Sequence, residues 1–127
     1  MSKLAKKIIL LLLIINALFI ILRIPQVLLY PTDELYYELA KANSSYSNMK
    51  VKILMKLGAD PAEQIFPAEI YNESEYGFGL LRAIENSRIE IIPILIADYS
   101  EAQKKRAIDV ASKDQKVKQL VINLMNK

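Results

Sequence analysis

The chain has 127 residues, so one compact domain is the starting expectation. It has neither Cys nor His, which excludes disulfides, thiolate zinc sites, cysteine nucleophiles, Ser-His-Asp triads and histidine general bases. The formal charge of +3 is unevenly shared: residues 1–30 hold four basic residues and no acidic ones, whereas residues 31–127 hold 13 basic and 14 acidic.

The first 30 residues read as a membrane segment. Lys3, Lys6 and Lys7 precede an apolar run, Ile8–Leu22, broken only by Asn16. A helix of that run covers about 22 Å, short of a hydrocarbon core of roughly 30 Å, and apolar residues continue beyond Arg23 to Tyr30. A cleaved signal peptide shares this pattern but needs small residues at its cleavage site, and Phe19–Pro25 holds none. An uncleaved signal anchor is the favoured reading. Arg23 then snorkels to the outer interface, Pro25 ends or bends the helix, and Tyr30 sits at the interface or just beyond. The positive-inside rule places the N-terminus in the cytoplasm and residues 31–127 in the periplasm or outside the cell. A buried core helix of a soluble protein fits less well, because apolar residues cover every face.

The remainder reads as all-α: stacked helix-turn-helix units at about 33–60, 74–98 and 101–126, with an insertion at 61–77. Leu39-Ala40-Lys41-Ala42, Leu80-Leu81-Arg82-Ala83 and Ile108-Asp109-Val110-Ala111 align, and their last alanines stand 41 and 28 residues apart. Each is followed by a polar turn (Asn43-Ser44-Ser45, Glu85-Asn86-Ser87, Lys113-Asp114-Gln115) and a second, more apolar segment. Asp33 fits an N-cap, Pro31 fixes the start of the first helix, and Gly58 fits the residue just past the end of the second. Val51, Leu54 and Met55 follow helical spacing. Pro93 falls inside the second helix of the middle unit, where it removes a backbone donor. The apolar stretch Ile89–Ile96 also admits a buried strand. The third unit closes the array, with a polar first helix carrying Glu101, Gln103, Lys104 and Lys105. Lys104-Lys105-Arg106 is the one basic run in this part, and it reads as a solvated helix face, so no nucleic-acid partner is expected.

Lys50-Val51-Lys52-Ile53-Leu54-Met55-Lys56-Leu57-Gly58-Ala59-Asp60-Pro61 resembles the end of an ankyrin repeat, and Ala83–Ile92 resembles the middle of one. The Gly-Ala-Asp after an apolar helix is the most specific piece. The resemblance spans about residues 33–126. The family's Thr-Pro-Leu-His start is matched only by Phe78-Gly79-Leu80-Leu81 and Arg106-Ala107-Ile108-Asp109. Against a repeat of about 33 residues, the spacings imply an insertion within 61–77 and a nearly deleted second hairpin. The resemblance implies a scaffold that binds proteins through hairpin tips and first helices, which here means the insertion together with Tyr37, Lys41, Arg82, Glu85 and Val110. It implies no chemistry.

Phe66, Tyr71, Tyr76 and Phe78 flank or decorate the insertion. Aromatics there serve as binding anchors or pack the loop onto the array. Asp33, Glu34 and Glu38 cluster, but acids in a first helical turn complement the helix dipole, so no catalytic site is assigned. Glu69, Glu73 and Glu75 show no metal-ligand spacing, Gly77-Phe78-Gly79 lacks the rest of a nucleotide-binding pattern, and no cofactor or small-molecule substrate is expected. Asn43 and Asn72 each stand in an N-glycosylation pattern. The expected function is a non-catalytic, membrane-anchored protein-binding module, in its specific form an immunity protein against a secreted toxin. The alternative is an accessory subunit held in a membrane complex through its helix, with Asn16 as an interhelical contact.

Overall fold

The computed structural model describes residues 2–65 and 77–127, which divide between two units, Met1–Tyr30 and Pro31–Lys127. In the first, helix α1 runs from Lys3 to Leu29. Its start is capped by Ser2, whose Oγ accepts the Ala5 N–H at 3.1 Å. Of the two outcomes expected at Pro25, an end or a bend, the end does not occur: the helix runs on to Leu29. Proline removes one donor from the ladder, and bonding then resumes, with Tyr30 N–H donating to Gln26 O at 2.9 Å. Arg23 Nη1 donates to Gln26 Oε1 at 3.2 Å across the proline turn. The 27-residue helix is about 40 Å long, enough to cross a bilayer core of roughly 30 Å. None of its residues is buried.

In the second unit, α2 spans Pro31–Leu39 and α3 spans Ser45–Lys56. Pro31 opens α2, a position where the missing N–H costs nothing, so Asp33 lies within the first turn with Glu34 instead of capping it. Ser44 caps α3 by accepting the Ser47 N–H at 3.1 Å. Gly58, at φ +93°, ends α3 as the spacing predicts. Ala59 N–H returns to Leu54 O at 3.0 Å and Gly58 N–H to Met55 O at 3.2 Å, the paired bonds of a Schellman motif.

Strand β1 (Gln64–Ile65) pairs antiparallel with β2 (Gly77–Phe78), Gln64 opposite Phe78 and Ile65 opposite Gly77. Helix α4 (Gly79–Glu85) follows directly. Gly79 packs so closely that a Cβ there would lie 3.1 Å from Pro61 Cα and 3.3 Å from Leu39 Cδ1. Helix α4 ends in a second Schellman motif, with Arg88 N–H on Ala83 O at 2.9 Å and Ser87 N–H on Ile84 O at 3.1 Å. The left-handed residue is Ser87, at φ 53°.

The second helix expected in the middle unit is absent. Residues 89–91 form a turn, and Ile92–Ile94 make a single 3-10 turn. Proline is compatible with a first turn but clashes with the carbonyl four residues back, and the β-branched isoleucines around it add little helix propensity. The alternative strand over 89–96 is not formed either. Helices α5 (Glu101–Ala111) and α6 (Gln115–Met125) complete the unit. Ser100 and Gln103 form a reciprocal capping box at α5, and Asp114 caps α6. Gln103, expected on the polar outer face, is instead 8% exposed and donates to Ala62 O at 2.6 Å.

Helix α2 packs on α3 and α4, α4 on α5, α5 on α6, and α6 on the 3-10 turn. The core between them holds Leu35, Leu39, Val51, Leu80, Ile92 and Leu95, all fully buried. Phe78 and Tyr99 add a ring pair at 6.2 Å. The Tyr99 hydroxyl donates to Leu95 O, and burial holds its phenol above the ordinary range.

Candidate functional site

The α2–α4 contact joins three of the residues singled out by sequence. Tyr36 and Tyr37 are consecutive on α2, one buried and one exposed, because the helix turns 100° between them. Their rings meet edge to face at 5.9 Å. The Arg82 guanidinium on α4 stands over the Tyr36 ring, 5.0 Å from its centre. Arg82 Nη1 also lies 3.7 Å from Glu85 Oε2, one turn along α4. Tyr37 and Arg82 thus both meet the Tyr36 ring, and Arg82 in turn meets Glu85, so Tyr36 links the three. Gly77 belongs to the same assembly, since a Cβ there would collide with the Tyr36 hydroxyl and ring. Beside this cluster, Glu85 and Ile84 line a groove with Val110 and Lys113 from the α5 end of the next unit.

Lys41 belongs to a different cluster. Its Nζ sits 2.9 Å from Glu38 Oε2, and Lys50 Nζ reaches the same oxygen at 3.3 Å. Glu38 Oε1 accepts the Ser47 hydroxyl at 2.9 Å. Burial of Glu38 pushes its carboxyl pKa up, but hydrogen bonds from Lys41 and Ser47 and the charges of Lys50 and Lys41 outweigh it, leaving the pKa below the ordinary value. Asp33, Glu34 and Glu38 therefore do not act as one carboxylate cluster: the first two sit in the first turn of α2, and Glu38 is directed to cations and a hydroxyl.

Sequence reasoning gave no role to Arg88, which is fully buried. Its Nη1 donates to Glu38 O and Lys41 O at 3.0 Å each. Its Nη2 donates to Ser47 Oγ at 2.9 Å and Asn48 Oδ1 at 2.8 Å. One planar fork thus satisfies carbonyls at the end of α2 and side chains at the start of α3. Asn48 Nδ2 extends the network to Asn43 Oδ1 and Glu90 Oε2, each at 3.0 Å. Burial lowers the Arg88 pKa and the Glu38 charge raises it; an arginine remains protonated throughout. A sequence signal existed: the residue two past a Schellman helix end is usually apolar, and here it is an arginine within an isoleucine-rich stretch.

Phe66, Tyr71 and Tyr76 lie outside the described residues. Among the described residues, no group of three or more Asp and Glu is placed to hold a metal ion. On α1, Asn16 Nδ2 donates to Leu12 O at 2.8 Å within its own helix. No family model, no curated protein and no solved structure matches the chain.

Proposed function

We propose that this chain is a membrane-anchored protein-binding module without catalytic chemistry. The carrying observation is the linkage of Tyr37, Arg82 and Glu85 on adjacent helices through Tyr36, which we read as one face. It combines an exposed aromatic with a part-exposed arginine, the residue types that dominate protein interfaces. Two features support the ankyrin-like reading of the scaffold. The helix pairs α2–α3 and α5–α6 are each joined by a short polar turn. The β1–β2 ladder lies between the first pair and α4, where that family has its hairpin. The length and apolarity of α1 support the anchor. Lys3, Lys6 and Lys7 favour a cytoplasmic N-terminus, which directs residues 31–127 outward. In that setting, neutralising a secreted toxin as an immunity protein is the specific role we put first.

The test uses the full chain in nanodiscs as bait, beside Tyr37→Ala, Arg82→Ala and a Lys116→Ala control. One stoichiometric protein retained by the parent and the control, with roughly tenfold weaker binding in either face variant, supports the reading. Retention that is indifferent to both face variants, or no partner at all from a bait with native circular dichroism, rejects it.

A further inference from the structure

Helix α3 has two faces that differ in kind. Its inner face buries Ser47, Asn48, Val51 and Leu54 against the rest of the unit. Its outer face carries Tyr46, Met49, Ile53 and Leu57, exposed at 71%, 52%, 48% and 41%. At 100° per residue these four fall within about 80° of arc, so they form one stripe along the helix. Lys50 borders the stripe on one side, and Lys56 and Lys52 border it on the other. The helix holds no acidic residue. Its three lysines contrast with the remainder of residues 31–127, which carries ten basic and fourteen acidic residues. The charge that borders the stripe is therefore positive, with Lys52 and Lys56 exposed and Lys50 paired with Glu38.

An apolar stripe edged by the exposed Lys56 and Lys52, with Lys50 on its other side paired to Glu38, fits the boundary of an anionic bilayer. Apolar side chains enter the acyl region, while long basic side chains reach back to the phosphates. A protein interface, by comparison, uses lysine less than the rest of the surface, most of all at its core. The second observation is the tether. Only Tyr30 separates the end of α1 from Pro31, a span of about 3.5 Å per residue. With α1 in a bilayer, residues 31–127 are held at its surface at an effective concentration of millimolar order, so a weak interfacial affinity suffices for occupancy.

We infer that α3 is an interfacial helix that lies on the anionic phospholipid surface next to the anchor, through Tyr46, Met49, Ile53 and Leu57 with Lys52 and Lys56 on the headgroups. This rests on the reading of α1 as a membrane anchor. It assigns α3 to lipid and leaves the Tyr37–Arg82 face for a protein.

The chain contains no Trp, so a single introduced Trp reports its own surroundings. Full-length Tyr46→Trp, Ile14→Trp and Lys116→Trp are reconstituted in vesicles of phosphatidylcholine and phosphatidylglycerol, with lipids brominated at shallow or deep acyl positions. Shallow bromine is expected to quench Tyr46→Trp at least twofold and deep bromine to quench Ile14→Trp, with Lys116→Trp unaffected by either. Adding Lys52→Glu and Lys56→Glu to Tyr46→Trp is expected to abolish its quenching while leaving circular dichroism unchanged. If Ile14→Trp is quenched while Tyr46→Trp keeps the emission of a water-exposed indole, the anchor stands and the interfacial helix is overturned. A blue-shifted Tyr46→Trp that bromine does not quench means that protein covers the stripe, which also overturns it. Absence of quenching at Ile14→Trp removes the anchor itself, and the inference with it.

Discussion

Arg88 brings a full positive charge into a place without solvent, and the structure matches it with four acceptors, two carbonyls at the end of α2 and two side chains at the start of α3. Its Nε is left without a hydrogen-bond partner among the described residues. A buried ion network of this kind is weak evidence of net stabilisation, because desolvation offsets much of the attraction; removing one member, however, strands the others. Lysine retains the charge but places three donors on one atom, which cannot reach the four acceptors that the guanidinium spans. Arg88→Lys is therefore expected to lower unfolding stability by about 3 kcal/mol, read as a shift in the denaturant midpoint with native-like circular dichroism below it. Equal stability of Arg88→Lys and the parent would show that charge alone is what the site requires. The neighbouring residue predicts the opposite sign. Ser87 occupies left-handed backbone at φ 53°, where a Cβ is strained and glycine is not. Ser87→Gly is expected to raise stability by about 0.5–1 kcal/mol, and a lower thermal midpoint would contradict the cap assigned to it.

At the scale of elements, what was legible in the sequence was whatever depends on neighbours within a few residues. The helix beginning near Pro31, the polar turn at Ser44 and the stop at Gly58 all follow from local capping chemistry, and they form as expected apart from the N-cap given to Asp33. Ile89–Ile96 was ambiguous because an apolar run without punctuation suits a helix or a strand equally, and Pro93 left it as a 3-10 turn. The role of Arg88 was not legible because its partners Glu38 and Lys41 lie 50 and 47 residues away. The Tyr37–Arg82 face was legible only as two separate positions, since the ring that both meet, Tyr36, lies on α2 and is far from Arg82 in the chain. The β1–β2 ladder ties this face to the hairpin through Gly77. Gly77→Ala would set a methyl group against the Tyr36 ring, which must then shift from beneath Arg82. The variant is expected to lose about 1–3 kcal/mol and to weaken partner binding together with Tyr37→Ala. A stable Gly77→Ala with unchanged binding would show that the Tyr36 ring does not position the face.

Across the whole of residues 31–127, long-range polar ties supplement a small core. Arg88 fastens the segment after α4 to the α2–α3 pair, and Gln103 fastens α5 to the turn after α3 through Ala62 O. A unit this small buries a limited apolar area, so stranding one member of these ties removes a large part of its margin of stability. Despite its burial, the cations and the hydroxyl around Glu38 hold its carboxyl below the ordinary range, which makes the network sensitive to acid in a defined direction. The folded state holds the Glu38 carboxyl below its ordinary value of 4.5, so the unfolded chain binds the proton more readily. The stabilisation is complete above that value and is lost as pH falls through the lower, folded-state value. Protonation takes away the charge that Lys41 and Lys50 approach and that favours the buried Arg88 cation. Denaturant midpoints measured from neutral to acid pH are therefore expected to fall more steeply for the parent than for Glu38→Gln, with the two curves converging at the acid end. At neutral pH Glu38→Gln is expected to be the less stable protein. Parallel curves across the whole range would locate the acid sensitivity in other carboxylates and reduce Glu38 to a neutral hydrogen-bond acceptor in this network.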